Sequence, residues 1–130
     1  MANGEGTVKS LERALCILDS FTRENAQQSL IDIAAHTNLY PSTASRLINT
    51  LESFGYLKRD SKSLLYSLGY RLANLGAICL SAEDLRAVAR PYLEELRSRY
   101  NETLGLYIIH KDQRVCIDSV SSTLPLRRVI

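Results

Sequence analysis

Ser29-Leu-Ile-Asp-Ile-Ala-Ala-His-Thr-Asn-Leu-Tyr-Pro-Ser-Thr-Ala-Ser-Arg-Leu-Ile-Asn-Thr-Leu-Glu-Ser53 is the stretch that decides the fold. Ser29 stands before an apolar run with an acid, Asp32, three residues on, close to the capping-box pattern that starts a helix. Leu30, Ile33 and Ala34 give that helix its buried side. Thr37-Asn38 ends it early, because asparagine tolerates the left-handed conformation of a tight turn. Pro41 then suits the first turn of a second helix, where its missing N–H costs nothing. This helix runs to about Ser53, with Gly55 as its stop. Two helices across so short a turn are a helix-turn-helix.

At 100° per residue, the second helix sorts into two faces. Ala44, Leu47, Ile48, Leu51 and Phe54 share one side, and Ser42, Ser45, Arg46, Asn49 and Ser53 share the other, with Thr43 near the boundary and Glu52 at the flank. Short donors and acceptors with one arginine suit entry into a major groove, where arginine pairs with guanine's two acceptors. A merely solvated helix is the bland reading, and the context favours the sharper one.

The deciding context lies beyond Gly55. Tyr56 to Arg59 and Leu64 to Leu68 are expected as two short strands around the turn Asp60-Ser61-Lys62-Ser63, a wing. Lys58, Arg59 and Lys62 gather positive charge opposed only by Asp60, suited to phosphates or a minor groove. They also suit blunting an edge strand. The helix N-termini at Ser29 and Ser42 offer N–H groups to phosphates as well. Tyr40 precedes the recognition helix and joins this set, so the candidate DNA-binding residues are Ser29, Tyr40, Ser42, Thr43, Ser45, Arg46, Asn49, Lys58, Arg59 and Lys62.

Upstream, residues 1–7 are expected as a disordered tail. Val8, Leu11, Leu15 and Leu18, with Ala14 and Phe21, mark one face of a first helix capped by Thr7 or Ser10; Thr22 to Gln28 is expected as a loop. Downstream, Tyr70 to Leu80 is a linker helix, and Ser81 is expected to cap a longer one with the apolar face Leu85, Val88, Ala89, Tyr92, Leu93, Leu96 and Tyr100. Pro91 should kink or divide it. Thr103 to His110 and Arg114 to Val120 form a second hairpin turned at Lys111-Asp112-Gln113, and Leu126 opens a third strand. The division is 8–69 for the winged domain, 70–80 for the linker, and 81–130 for a second domain too small to bury much core alone.

Composition excludes several classes. Hydrophobic residues are 45% and charged residues 23% of the 130, as in ordinary folded domains. No apolar run approaches the roughly 18 residues that span a bilayer, and the N-terminus lacks a signal-peptide pattern, so a cytoplasmic place is expected. Cys16, Cys79 and Cys116 are dispersed in apolar stretches and are expected as small buried hydrophobes. His36 and His110 lack partners at metal-ligand spacing, so no metal or cofactor is expected. His110, Asp118 and Ser119 share no catalytic motif, and no enzyme activity is expected.

Val8-Lys-Ser-Leu-Glu-Arg-Ala-Leu-Cys-Ile-Leu, Leu39-Tyr-Pro-Ser-Thr-Ala-Ser-Arg-Leu-Ile and Leu51-Glu-Ser-Phe-Gly-Tyr-Leu resemble successive blocks of the isocitrate-lyase-regulator (IclR) family, and Tyr66-Ser-Leu-Gly, Asp84-Leu-Arg-Ala-Val-Ala-Arg-Pro-Tyr-Leu and Asn101-Glu-Thr continue them in order. The resemblance implies an α+β chain: a winged helix-turn-helix, a linker helix, then the truncated start of a GAF-like α/β effector-binding domain. It implies a transcriptional repressor or activator that binds palindromic promoter DNA as a homodimer or a dimer of dimers. A small-molecule effector is implied for the full-length family, with pocket strands past Ile130, so these residues alone are not expected to hold it. Thr43 and Arg46 match the family's recognition-helix Thr and Arg. The family most often has proline at Tyr40 and glycine at Asn38, and a bulkier residue at Ser45. The rival reading is a winged helix used for protein contact, or a short form that acts by dimerising with longer partners.

Overall fold

The computed structural model describes residues 6–82 and 84–125. They form five helices and two antiparallel hairpins in the order α1 (Lys9–Asp19), α2 (Leu30–Thr37), α3 (Pro41–Ser53), β1 (Leu57–Arg59), β2 (Tyr66–Leu68), α4 (Tyr70–Ser81), α5 (Asp84–Tyr100), β3 (Leu104–His110) and β4 (Gln113–Val120). The chain divides into two compact units, Met1–Leu75 and Gly76–Ile130, with the division inside α4. Most of the expected tail, and the strand expected at Leu126, lie outside the described residues.

In the first unit the local signals act as their chemistry requires. The Ser29 hydroxyl accepts from the Asp32 N–H at 3.1 Å, and the Asp32 carboxylate accepts from the Ser29 N–H at 3.2 Å, a complete capping box. Asn38 takes φ 56°, and the Leu39 N–H reaches back to the Ala34 carbonyl at 3.0 Å. Gly55, at φ 84°, ends α3 in the same way, with the Tyr56 N–H on the Leu51 carbonyl at 2.9 Å. Pro41 opens α3 behind Tyr40.

Ile17, Phe21, Ile33, Ala34, Ala44, Ile48, Leu57 and Tyr66 form the core. It corrects the expected face of α1. Leu18 and Phe21 turn inward with Ile17, but Val8, Leu11 and Leu15 are exposed. Ile17 stands 180° around the wheel from Val8, so the core uses an arc of the helix turned away from Val8, Leu11 and Leu15. Val8, not Thr7 or Ser10, is the N-cap, and it offers no side-chain bond; Thr7 donates to Glu12 instead, at 2.9 Å. Phe54 is 69% exposed rather than inward, because it is the cap residue at which the chain turns out of α3.

The wing strands are shorter than expected, Leu57–Arg59 against Tyr66–Leu68, with Leu57 opposite Leu68 and Arg59 opposite Tyr66. Their connection is held by Asp60, whose carboxylate accepts from the Ser63 N–H at 2.6 Å while Leu64 takes φ 63°. The Ser63 backbone bond, then the Ser63 hydroxyl, hold the Asp60 carboxyl below its ordinary value of 3.8. A depressed folded-state pKa stabilises the turn above 3.8, and that contribution is lost as pH falls through the lower folded value. The Ser63 amide proton, followed by NMR, should therefore shift with a midpoint below 3.8. A midpoint at or above that value would show that the bond does not persist in solution.

In the second unit α5 packs on the β3–β4 hairpin, burying Leu93, Ile117 and Val120. Three expectations are corrected here. Ser81 closes α4, its hydroxyl donating to the Ile78 carbonyl at 2.8 Å, and α5 begins at Asp84. Of the two effects expected of Pro91 the division does not occur, since α5 runs as one helix from Asp84 to Tyr100. Lys111 and Asp112 alone make the turn, both with positive φ, so Gln113 belongs to β4. Leu106 faces Asp118 and Tyr107 faces Cys116, leaving Ile117 as the extra residue of a bulge. Asn101, at φ 53°, accepts from the Thr123 N–H and hydroxyl, each at 2.9 Å, and so ties the end of α5 to the exit of β4. Of the expected α5 face only Ala89 and Leu93 turn inward; Leu85, Val88, Tyr92, Leu96 and Tyr100 are exposed. Cys79 is exposed and Cys16 and Cys116 are half-buried, against the expectation of buried thiols.

Candidate nucleic-acid interface

Helix α3 owes its two faces to sequence spacing and its placement to the core. Ala44 and Ile48 are fully buried, which turns Ser42, Arg46 and Asn49 outward and leaves Thr43 and Ser45 half-buried at the edges. No side chain caps the N-terminus of α3, and its first turn holds no acid. The N-terminal N–H groups and their partial positive charge are therefore open to an anion. Ser42 is the second residue of the helix, and Tyr40, the N-cap, is 82% exposed. At α2 the arrangement differs. The Ser29 hydroxyl and the Asp32 carboxylate already fill that N-terminus.

The tertiary structure adds residues that the sequence did not mark. Thr43, Arg46, Leu47 and Thr50 of α3 share a shallow cavity of about 240 Å³ with Ser10 and Arg13 of α1. Two guanidinium groups from different helices thus border one concavity. Arg13 stayed hidden because it belongs to a helix that shows in sequence only as an apolar stripe. Every ion pair among the described residues falls between Arg86 and Asp118. Arg13, Arg46, Lys58, Arg59 and Lys62 therefore have no carboxylate partner there, and their charge is available to phosphates.

The wing separates its cations. Successive strand residues face opposite ways, so Lys58 and Arg59 lie on different faces of the ribbon. Lys58 Nζ stands 4.0 Å above the Tyr70 ring at the start of α4. Arg59 lies on the Leu57 side, 5.3 Å from the Tyr66 ring, with its Nε donating to the Leu64 carbonyl at 3.4 Å. Lys62 is exposed in the turn. The structure thus joins Thr43 and Arg46 with Arg13, and it sets Lys58 apart from Arg59.

His110, Asp118 and Ser119 do not form a site. His110 pairs with Gln113 at the turn end of the hairpin. The Asp118 carboxylate, only 8% exposed, is held by Arg90 at 2.8 Å and Arg86 at 3.9 Å. Among the described residues no helix is long and apolar enough to cross a membrane.

Residues 10–61 match the family described as IclR helix-turn-helix domain. They are an IclR-family helix-turn-helix domain. The HTH-type transcriptional regulator XynR of Escherichia coli K12 is 32% identical over 90% of this chain and 46% of its own length. An IclR-family transcriptional regulator from Brucella abortus superposes with a TM-score of 0.81 at 30% identity, over 95% of this chain and 47% of that one. An IclR homolog from Microbacterium hydrocarbonoxydans, complexed with 4-hydroxybenzoate, superposes at 0.74 with 27% identity, over 93% and 51%. The chain spans about half the length of the relatives it matches. IclR-family proteins are transcriptional regulators, not enzymes.

Proposed function

We propose that the chain is the DNA-binding part of a transcriptional regulator, repressor or activator, that recognises palindromic promoter DNA as a dimer in the cytoplasm. The observation that carries this reading is the outward face of α3. There Ser42, Arg46 and Asn49 stand exposed behind an open helix N-terminus, with Thr43 and Arg13 beside Arg46 and, among the described residues, no carboxylate paired to either arginine. Arg46 and Asn49 suit base edges, and Ser42, Thr43, Ser45 and Tyr40 suit edges or phosphates. Arg13, Arg59 and Lys62 suit phosphates. Lys58, stacked on Tyr70, contributes less than Lys62.

We assign residues 8–69 to the DNA-binding unit, 70–80 to a linker and 81–130 to the beginning of a GAF-like effector-binding domain. The uncovered apolar face of α5 supports the last assignment, since an incomplete domain leaves such a face bare. For the longer protein the proposed effector is a small metabolite, the class represented by the 4-hydroxybenzoate held by the Microbacterium homolog. The exposed stripe Val8, Leu11 and Leu15 is apolar surface available for pairing two DNA-binding units.

The test is selection from a randomised duplex library. A dimer should enrich a palindrome whose half-sites lie about 34–36 Å apart, one turn of DNA. Enrichment of a single half-site would keep DNA recognition and remove the dimer. General, salt-sensitive binding without enrichment would remove sequence recognition itself.

A further inference from the structure

Gln28 ends what the sequence presents as a polar loop, yet it is 1% exposed, among the most buried side chains in the chain. Its amide is saturated by three separate segments. The two N–H groups of Nε2 are shared among three acceptors, the Ser20 carbonyl at 3.2 Å, the Ser20 hydroxyl at 3.3 Å and the Asn25 carbonyl at 3.5 Å. Oε1 lies 2.7 Å from Nδ1 of His36 in the last turn of α2. Carbonyls only accept, which fixes the nitrogen of the amide toward Ser20 and Asn25. Oε1 must then accept, so the Nδ1 of His36 carries the proton. The Ser20 hydroxyl gives its own proton to the Ile17 carbonyl at 2.6 Å and is free to accept from Gln28.

The main chain of the same residue grips the wing. The Gln28 N–H donates to the Tyr66 carbonyl at 2.9 Å, and the Tyr66 N–H donates to the Gln28 carbonyl at 2.7 Å, an antiparallel bridge outside the named strands. Tyr66 is also the strand partner of Arg59 and the ring beneath its guanidinium. One residue thus links the end of α1, the 22–28 loop and α2 to the middle of the wing.

We infer that Gln28 is a positioning residue for DNA binding: its buried amide sets the placement of the wing relative to the helix-turn-helix, so that α3 and the Lys62 turn engage one duplex together. This rests on the DNA-binding role proposed for α3. The bonds of the amide are directional and lie in a buried site, so an apolar replacement of similar length fills the space without orienting the bridge.

The experiment is a double-mutant cycle on the 130-residue chain, read as affinity for the duplex that the unaltered chain selects. Gln28→Met is expected to weaken binding about tenfold. In that background Lys62→Ala should cost clearly less than in the unaltered chain, while Arg46→Ala should cost the same in both. Equal additivity for both residues would overturn the inference, because Gln28 would then act through stability alone. So would an unchanged affinity. His36→Ala removes the donor to Oε1 from the exposed end of α2 and provides the same cycle where Gln28→Met does not fold. Hydrogen exchange gives an independent readout in either variant: the Tyr66 amide should exchange faster while the Ile48 amide does not. Equal acceleration at both overturns the inference. An unaltered chain that selects no duplex fails at the first step, which separates failure of the DNA-binding reading from failure of the positioning role.

Discussion

Replacing Arg46 by alanine is expected to weaken binding to the selected operator by roughly 5- to 150-fold, the effect of losing about 1–3 kcal/mol of base pairing. Melting temperature should hardly move. Arg46 is exposed on α3, its side chain has no ion-pair partner among the described residues, and the core beneath the helix is made by Ala44 and Ile48. Binding to a scrambled duplex should fall far less, because a phosphate contact is insensitive to sequence. Arg46→Lys sharpens the test by keeping the charge while losing the planar fork that matches guanine. It should retain the salt dependence of binding and still lose discrimination. Fluorescence anisotropy on operator and scrambled duplexes over a salt series separates these outcomes. Equal losses on both duplexes would make Arg46 a phosphate contact, and no loss on either would remove α3 from the interface.

Gly69→Ala should do the opposite and damage the fold before it touches recognition. A Cβ at this buried position would stand 2.1 Å from the Gly55 carbonyl oxygen and 2.8 Å from its carbon. Gly69 is where the chain leaving the wing crosses the chain leaving α3. Its N–H donates to the Tyr56 carbonyl at 2.9 Å, and the Arg71 N–H donates to the Gly55 carbonyl at 3.2 Å. The obstructing atoms are backbone, so no rotamer change relieves the clash. Either the end of α3 or the start of α4 must move. The expected cost is about 3 kcal/mol or more, beyond ordinary overpacking. For a unit of this size that corresponds to a fall of about 12–24 °C in Tm. Gly76→Ala is the control. A Cβ there meets nothing within 4 Å, and the residue lies inside α4, so this change should stabilise by roughly 0.5–1 kcal/mol. Equal behaviour of the two variants in thermal melts would show that the two chain segments do not cross tightly at Gly69.

The helix-turn-helix and the polar face of its second helix could be read from the letters alone. Ser29 with Asp32, Asn38, Pro41 and Gly55 act on backbone groups within about five residues of themselves, so their meaning survives without knowledge of the rest of the chain. The outward face of α3 was legible because its inward side is small and apolar at regular spacing, with Ala44 and Ile48 at its centre. Phe54 broke that pattern only because it lies one residue past the helix. Helix ends and turns at Val8, Ser81 and Gln113 shifted by a residue or a few for local reasons, whereas the packed faces and the residues that stayed hidden depended on distant neighbours. Apolar spacing marks a stripe on α1, but the arc that meets α2 and α3 is set by packing, which chose Ile17 over Leu11 and Leu15. Strand alternation places Lys58 and Arg59 on opposite faces, yet Tyr70 and Tyr66 beneath them come from other turns of the chain. Arg13 reaches the concavity of Arg46, and Gln28 reaches Ser20, His36 and Tyr66, only after the chain has folded back on itself. Local hydrogen-bonding chemistry is written in neighbouring letters, whereas the choice of packed face and the meeting of remote polar groups come from closing a core in three dimensions.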